Sequence, residues 1–175
     1  MNLMPEMERW FEDNRGFNPK GTPEARAKFD FSLPDWYDAR QVGPDIARSI
    51  VAYAPKAKPM KGSIQALRGW YARGNEILIV TAAAESTMET NKNWLNKWLA
   101  RPYTIERVNS KDGKIDKLLE LEVTHYVDDR FRTCCELAPH LEHVYLFDAT
   151  CNRGREPEFE NVTRIKSLRD MLHKL

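Results

Sequence analysis

Apolar side chains recur at helical spacing over residues 3–14, where Leu3, Met7, Trp10 and Phe11 share a face and Gly16 follows as a stop. Residues 17–46 are interrupted by Pro19, Pro23, Pro34 and Pro44, with Phe29, Phe31, Trp36 and Tyr37 between them. That pattern predicts short helices and turns rather than a sheet, and 46–53 reads as a short helix. Beyond it the pattern is more regular. An amphipathic helix is predicted over 63–73 (Ile64, Leu67, Trp70, Tyr71), ended by Gly74. The apolar run 77–80 has the form of a buried parallel strand. A helix over 87–99 turns Trp94, Leu95, Trp98 and Leu99 inward, 103–108 is strand-like, and 114–121 is helical. A second buried strand, 123–127, ends in Asp128-Asp129. A helix over 131–137 leads to a third strand, 143–147, which ends in Asp148, and a closing helix is predicted over 162–175 with Ile165, Leu168, Met171 and Leu172 on one stripe.

Strands alternating with helices predict an α/β fold, a parallel sheet covered on both faces. The expected organisation is a single domain over 1–175, with 17–55 as a small helical insertion packing its aromatics on the main body. In such sheets ligands sit beyond the C-terminal strand ends. The positions of interest are therefore Thr81, Asp128-Asp129, and Asp148 with Asn152.

Composition narrows the function classes. The 27 Lys+Arg and 26 Asp+Glu give a net charge of +1, too weak a field to make nucleic acid or a membrane the default partner. A hydrophobic share of 42% is too high for a disordered chain. The longest apolar stretch, 77–84, is too short to cross a bilayer, and the first residues carry acid and no apolar h-region. Three cysteines, Cys134, Cys135 and Cys151, two of them adjacent, read as free thiols of a reducing cytoplasm.

Adjacent carboxylates at a strand end repel unless a cation sits beside them, and hard oxygens with open positions suit Mg²⁺. The plainer reading of Asp128-Asp129 is a helix cap beside a surface acid. Thr81, with the backbone N–H groups of the turn at Ala82, can hold a phosphoryl oxygen or simply cap a helix. Lys114 can neutralise a phosphate or a carboxylate, or stand solvated, and Lys111 and Lys117 compete for the role. Residues 46–75 hold no acid and six bases (Arg48, Lys56, Lys58, Lys61, Arg68 and Arg73), a rim for an anionic substrate or an ordinary solvated face.

The order of these signals is more specific than any one of them. Strand–Thr81, helix–Lys114 and strand–Asp128-Asp129 resemble motifs two, three and four of the haloacid dehalogenase (HAD) superfamily of phosphotransferases. Lys114 matches the motif-three Lys through the pattern Lys-x-Asp-x-x-x-Glu-Leu, and the segment LFDATCNR (146–153) resembles the strand-five loop of the 5′(3′)-deoxyribonucleotidase-like branch. The resemblance implies a three-layer Rossmann-like fold with the small helical cap at 17–55. It implies a Mg²⁺-dependent phosphomonoester hydrolase acting on a small phosphorylated substrate such as a nucleotide. Thr81, Ala82 and Lys114 would bind phosphate, Asp128 and Asp129 would hold the metal, and Thr81, Lys114 and Asp128 would serve catalysis. Two other readings accompany it: a non-catalytic HAD-like module for phosphate, nucleotide or protein binding, and a polynucleotide 3′-phosphatase, against which the weak net charge argues.

The family's first motif, an apolar strand ending in Asp-x-Asp-x-Thr, has no counterpart here. Asp30 lacks an apolar strand before it, and Asp148, in VYLFDAT, follows rather than precedes the Asp-Asp pair; neither is taken as the nucleophile. In the family that strand lies between those carrying Thr81 and Asp128. One of three alternatives is expected: a strand encoded upstream, a contracted sheet in which the two strands pair directly, or a strand donated by a partner or a second copy.

Overall fold

The computed structural model describes residues 4–19, 33–109 and 113–172. The prediction at Asp30 falls outside them. The described chain is mixed α/β with parallel strands and six α-helices. It divides into two compact units, 1–64 with 84–100, and 65–83 with 101–175.

The first unit is helical: α1 (Met4–Arg15), α2 (Val42–Tyr53) and α4 (Met88–Leu99), with short 3-10 turns at Ala39–Gln41, Ala54–Lys56 and Glu85–Thr87. Met7, Trp10 and Phe11 of α1 form its core, with Phe17, Tyr37, Ile46 and Tyr53 packed against them. Phe11, Phe17 and Tyr37 meet edge to face, Phe17 and Tyr37 at 4.9 Å. The unit thus takes in α1 and α4 as well as the described parts of the aromatic stretch. Trp94 donates its indole N–H to the Ala57 carbonyl at 2.8 Å, anchoring α4 to the segment that follows α2.

Asp45, on α2, is fully buried in this unit. Arg15 grips it with two bonds, at 2.6 and 2.8 Å, while the Tyr37 hydroxyl donates at 2.8 Å and Arg48 at 2.6 Å. Chiefly the Arg15 hydrogen bond, opposed by burial and helped by Tyr37 and Arg48, holds the Asp45 carboxyl down at about 2.

The second unit contains α3 from Gln65 onward (Ser63–Ala72), β1 (Leu78–Thr81), β2 (Thr104–Arg107), α5 (Gly113–Glu120), β3 (His125–Asp128), α6 (Phe131–Leu137), β4 (His143–Phe147) and β5 (Val162–Ile165). Gly74, at φ +88°, supplies the left-handed residue that ends α3. All pairings are parallel, in two separate sheets: β1–β2, with Leu78 opposite Thr104, and β3–β4–β5, with His125 opposite His143 and Val144 opposite Val162. Leu118 of α5 and Cys134 and Leu137 of α6 pack on Tyr126, Val144, Leu146 and Val162, and Val80 of β1 packs against the same cluster.

Three expectations are corrected. Residues 162–175 are not one helix. Val162–Ile165 is the third strand of its sheet, and among the described residues after it only Leu168–Met171 winds, as a 3-10 turn. The β-branched run Val162-Thr163 and Ile165 suits an edge beside β4, to which Asn161 and Ile165 offer carbonyls for the Val144 and Asp148 N–H groups at 3.1 and 2.7 Å. Ser167 then caps the turn through the Arg169 N–H. Second, the strands predicted as buried at 77–80 and 123–127 are mostly half-buried: every residue of β1, and all of β3 but Tyr126. By contrast Val144, Tyr145 and Leu146 of β4 are enclosed. Third, of the three alternatives left open by the missing first motif, the contracted sheet is not formed, since among the described residues β1 and β3 do not pair.

Replacing Asp45 with Asn should cost about 2 kcal/mol of stability at pH 7, less than a fully enclosed ion pair because Arg15 and Arg48 keep contact with water. A carboxyl lowered by folding stabilises above its unfolded pKa and loses that contribution as pH falls toward 2. The gap between wild type and Asp45→Asn, measured by urea unfolding, should therefore be full at pH 7 and shrink progressively below pH 4. Equal stabilities at pH 7 would contradict the assignment.

Candidate functional site

The parallel strands of the second unit deliver polar residues at their C-terminal ends, Thr81 on β1 and Asp128 on β3, with Asp129 next in sequence and Asp148 immediately after β4. Lys114, in the first turn of α5, reaches Asp128: Nζ donates to Oδ2 at 2.7 Å, with each side chain about one-fifth exposed. The Tyr126 hydroxyl donates to the same oxygen at 2.5 Å, and the Asp129 N–H donates to Oδ1 at 2.8 Å. Lys114 also lies 5.4 Å from the Tyr126 ring centroid.

These contacts split the two acids electrostatically. Burial opposes charge on Asp128, but Lys114 and the hydrogen bonds around it outweigh that and hold its carboxyl below the ordinary range. Asp129 is pushed up to about 6, first by burial and then by the neighbouring Asp128. The pair therefore favours one negative charge, on Asp128, with a proton retained by Asp129 into mildly acidic solution. Tyr126, buried against the Asp128 carboxylate, is driven far above the ordinary phenol range and stays a donor.

Behind the acids stands a second polar cluster. Asn152 is fully buried and donates to the Asp129 and Phe147 carbonyls at 2.7 and 2.8 Å. Its side-chain oxygen accepts from Arg164 at 2.7 Å and from the Ala149 N–H at 3.3 Å. Arg164, from β5, also reaches Asp148 at 3.3 Å, and Arg153 stands 3.9 Å from the same carboxylate. Asp148 thus sits between two guanidinium groups, a setting for an ion pair rather than an attacking carboxylate. The Cys134 and Cys151 thiols lie 3.8 Å from the Asp128 and Asp129 carbonyls.

Of the residues singled out from sequence, Lys114, Asp128 and Asp129 are brought together. Thr81 closes β1, where its Oγ1 accepts the Ala83 N–H at 3.2 Å, with Ala82 in the turn beyond. Among the described residues no hydrogen bond or ion pair joins Thr81 to Lys114 or Asp128. The six bases of 46–75 divide between the two units, and Arg48 is committed to Asp45. Two contributors were not singled out. Tyr126 was hidden because a tyrosine in a buried strand reads as core. Arg164 was hidden because its strand was read as a helix; the alternation in VTRI was the signal for it.

The donors suit a hard cation in kind, since both are carboxylates. They are few in number: among the described residues no group of three His, Cys, Asp or Glu side chains converges as a metal site. Both Asp128 oxygens already accept hydrogen bonds, so Asp129 is the freer ligand, with water needed for most of a coordination shell.

The chain matches no family model, no curated protein and no solved structure. No helix among the described residues is long and apolar enough to cross a membrane.

A carboxyl raised by folding stabilises below its unfolded pKa and loses that contribution as pH rises through its folded value. Asp129→Asn should therefore stabilise the chain by roughly 2 kcal/mol at pH 7.5, and the advantage should vanish near pH 4. Paired urea titrations of wild type and variant at the two pH values measure it. A variant no more stable than wild type at pH 7.5 would show that Asp129 carries its charge without strain.

Proposed function

We propose that this chain is a Mg²⁺-dependent phosphomonoester hydrolase of the HAD type, nucleotidase-like in substrate, on a three-layer fold with a small helical cap. In this reading the strand bearing the attacking carboxylate comes from outside the sequence given. The observation that supports it most is the half-buried Lys114–Asp128 pair at the end of β3, with Asp129 beside it. A cation from a helix and two acids from a parallel strand end meet where α/β proteins bind ligands. Thr81 and the turn at Ala82, at the end of β1, are the second phosphate-binding element of the proposal.

Each residue then has a stated role. Lys114 balances the charge of the phosphoryl oxygens and keeps Asp128 ionised. Asp129 and Asp128 hold the cation, and Asn152, by fixing the Asp129 carbonyl, sets where the Asp129 side chain begins. Thr81 donates its hydroxyl to a phosphoryl oxygen, with the Ala82 N–H beside it. Mg²⁺, when bound, draws charge from the transferring phosphoryl group. Covalent displacement needs a carboxylate in line with phosphorus. Lys114 is a cation and Thr81 has no adjacent base, so that group must come from the additional strand.

The 175-residue chain should bind Mg²⁺ weakly, with Kd on the order of 1 mM, because so few carboxylates face the cation. Shifts of the Asp128 and Asp129 amide resonances on Mg²⁺ titration measure this. The chain alone should hydrolyse nucleoside monophosphates no faster than background. Joining an apolar strand that ends in Asp-x-Asp-Gly-Thr to its N-terminus should both raise the Tm and create Mg²⁺-dependent turnover, lost in Lys114→Ala and Asp128→Asn. A joined chain that gains stability and stays inert would favour the non-catalytic binding module. Turnover by the unmodified chain, lost on Asp148→Asn, would reassign the nucleophile.

A further inference from the structure

The second unit contains a cavity of about 480 Å³ lined on one side by the β1 segment and on the other by the β3 segment. That volume is in the range of ligand pockets, but its walls are of an unusual kind, since two of them are strand edges. The Ile77 and Thr81 carbonyls accept from β2, through the Thr104 and Val108 N–H groups at 2.9 Å. Strand alternation therefore turns the backbone groups of Leu78 and Val80 to the opposite edge. On the other sheet, Val144 and Asp148 donate to β5, so Tyr145 faces β3. Tyr145 stands opposite Val127 in register, so Tyr126 and Asp128 pair with β4, and the backbone groups of His125 and Val127 are turned away. Among the described residues, no strand pairs with either of these outer edges.

We propose that this slot binds an extended apolar segment of another polypeptide as a β-strand paired to both edges, joining the two sheets into one. The backbone chemistry selects the occupant. Donors and acceptors alternate along both edges at strand spacing, and an extended peptide presents the complementary series on both of its own edges, which a compact small molecule does not. The edges are four residues each, so the occupant needs about four or five residues in contact, roughly 13–16 Å of strand. Leu67 and Trp70 of α3, Leu118 and Leu121 at α5, and Met171 line the same cavity, which favours apolar side chains on the incoming strand. Residues 1–175 hold no spare segment of this kind. Their strands already lie in the two sheets, and residues 1–3, 20–32, 110–112 and 173–175 contain no run of four apolar residues. The inference does not depend on the hydrolase reading, and its test measures no activity.

The probe is a short blocked peptide of alternating Val and Ile between terminal lysines, added to the full chain while amide hydrogen exchange is followed by NMR. In the free chain, Leu78, Val80, His125 and Val127 should exchange much faster than Ile79 and Tyr126. The peptide should slow those four amides by about tenfold or more, saturably. The same peptide N-methylated at its central residues should leave them unchanged. Four amides already protected in the free dilute chain would overturn the proposal, and so would the absence of slowing with peptide. Equal protection by the N-methylated peptide would reduce the effect to apolar adhesion. Protection that grows with protein concentration in the absence of peptide would assign the slot to a second copy of this chain.

Discussion

A strand inside a sheet carries hydrogen-bonding groups on both edges, and each must find a partner or face water. In the second unit that requirement is met on one side of β1 by β2 and on one side of β3 by β4, and among the described residues the ladders stop there. The half-buried state of both strands follows directly. Their sequences, Leu78-Ile79-Val80-Thr81 and His125-Tyr126-Val127-Asp128, are apolar enough for a sheet interior, yet only β4, paired on both edges, is enclosed along its middle. The cavity of about 480 Å³ is lined by both strand segments, and Val80 of β1 packs against the α5–α6 core cluster.

The same strand ends organise the charges. β3 places Tyr126 and Asp128 two residues apart, so they project to the same face and bond directly. Lys114 completes that group from α5. Asp129, one residue on, falls outside the pairing and takes the cost of two adjacent carboxylates in a partly dry setting. Beneath them Asn152 and Arg164 tie the loops after β3 and β4 to β5. The result is an acid pair in which Asp129 holds its proton to higher pH than Asp128, supported by a buried amide whose four polar contacts are all satisfied.

The helical unit solves a separate problem. Pro19 and Pro34 lie outside the helices and Pro44 in the first turn of α2, and aromatic rings make much of the core, edge to face around Phe11, Phe17 and Tyr37. A buried carboxylate in the middle of such a core is tolerated only with its oxygens occupied, and Arg15, Arg48 and Tyr37 occupy them from three sites along the chain.

Local periodicity was sufficient to identify most elements. The helix over 131–137 and the strand over 143–147 were read to the residue, because each is short, strongly patterned and bounded by clear breaks. Lys114 and Asp128-Asp129 were singled out from the sequence by their place at a helix start and a strand end, and the fold brings Lys114 and Asp128 within hydrogen-bond distance. Residues 162–165 were misread, since four residues carry too little period to tell a strand from the first turn of an apolar helix, and only the free edge of β4 decided the matter. The grip on Asp45 was invisible for the opposite reason: its partners, 30, 8 and 3 positions away, share no spacing that marks them as a group. The sequence by itself determined which segments favour helix or strand and which side chains carry the chemistry. Tertiary structure alone decided which strand edges meet and which stay open, because pairing joins backbone groups that every residue shares and that no side-chain pattern encodes.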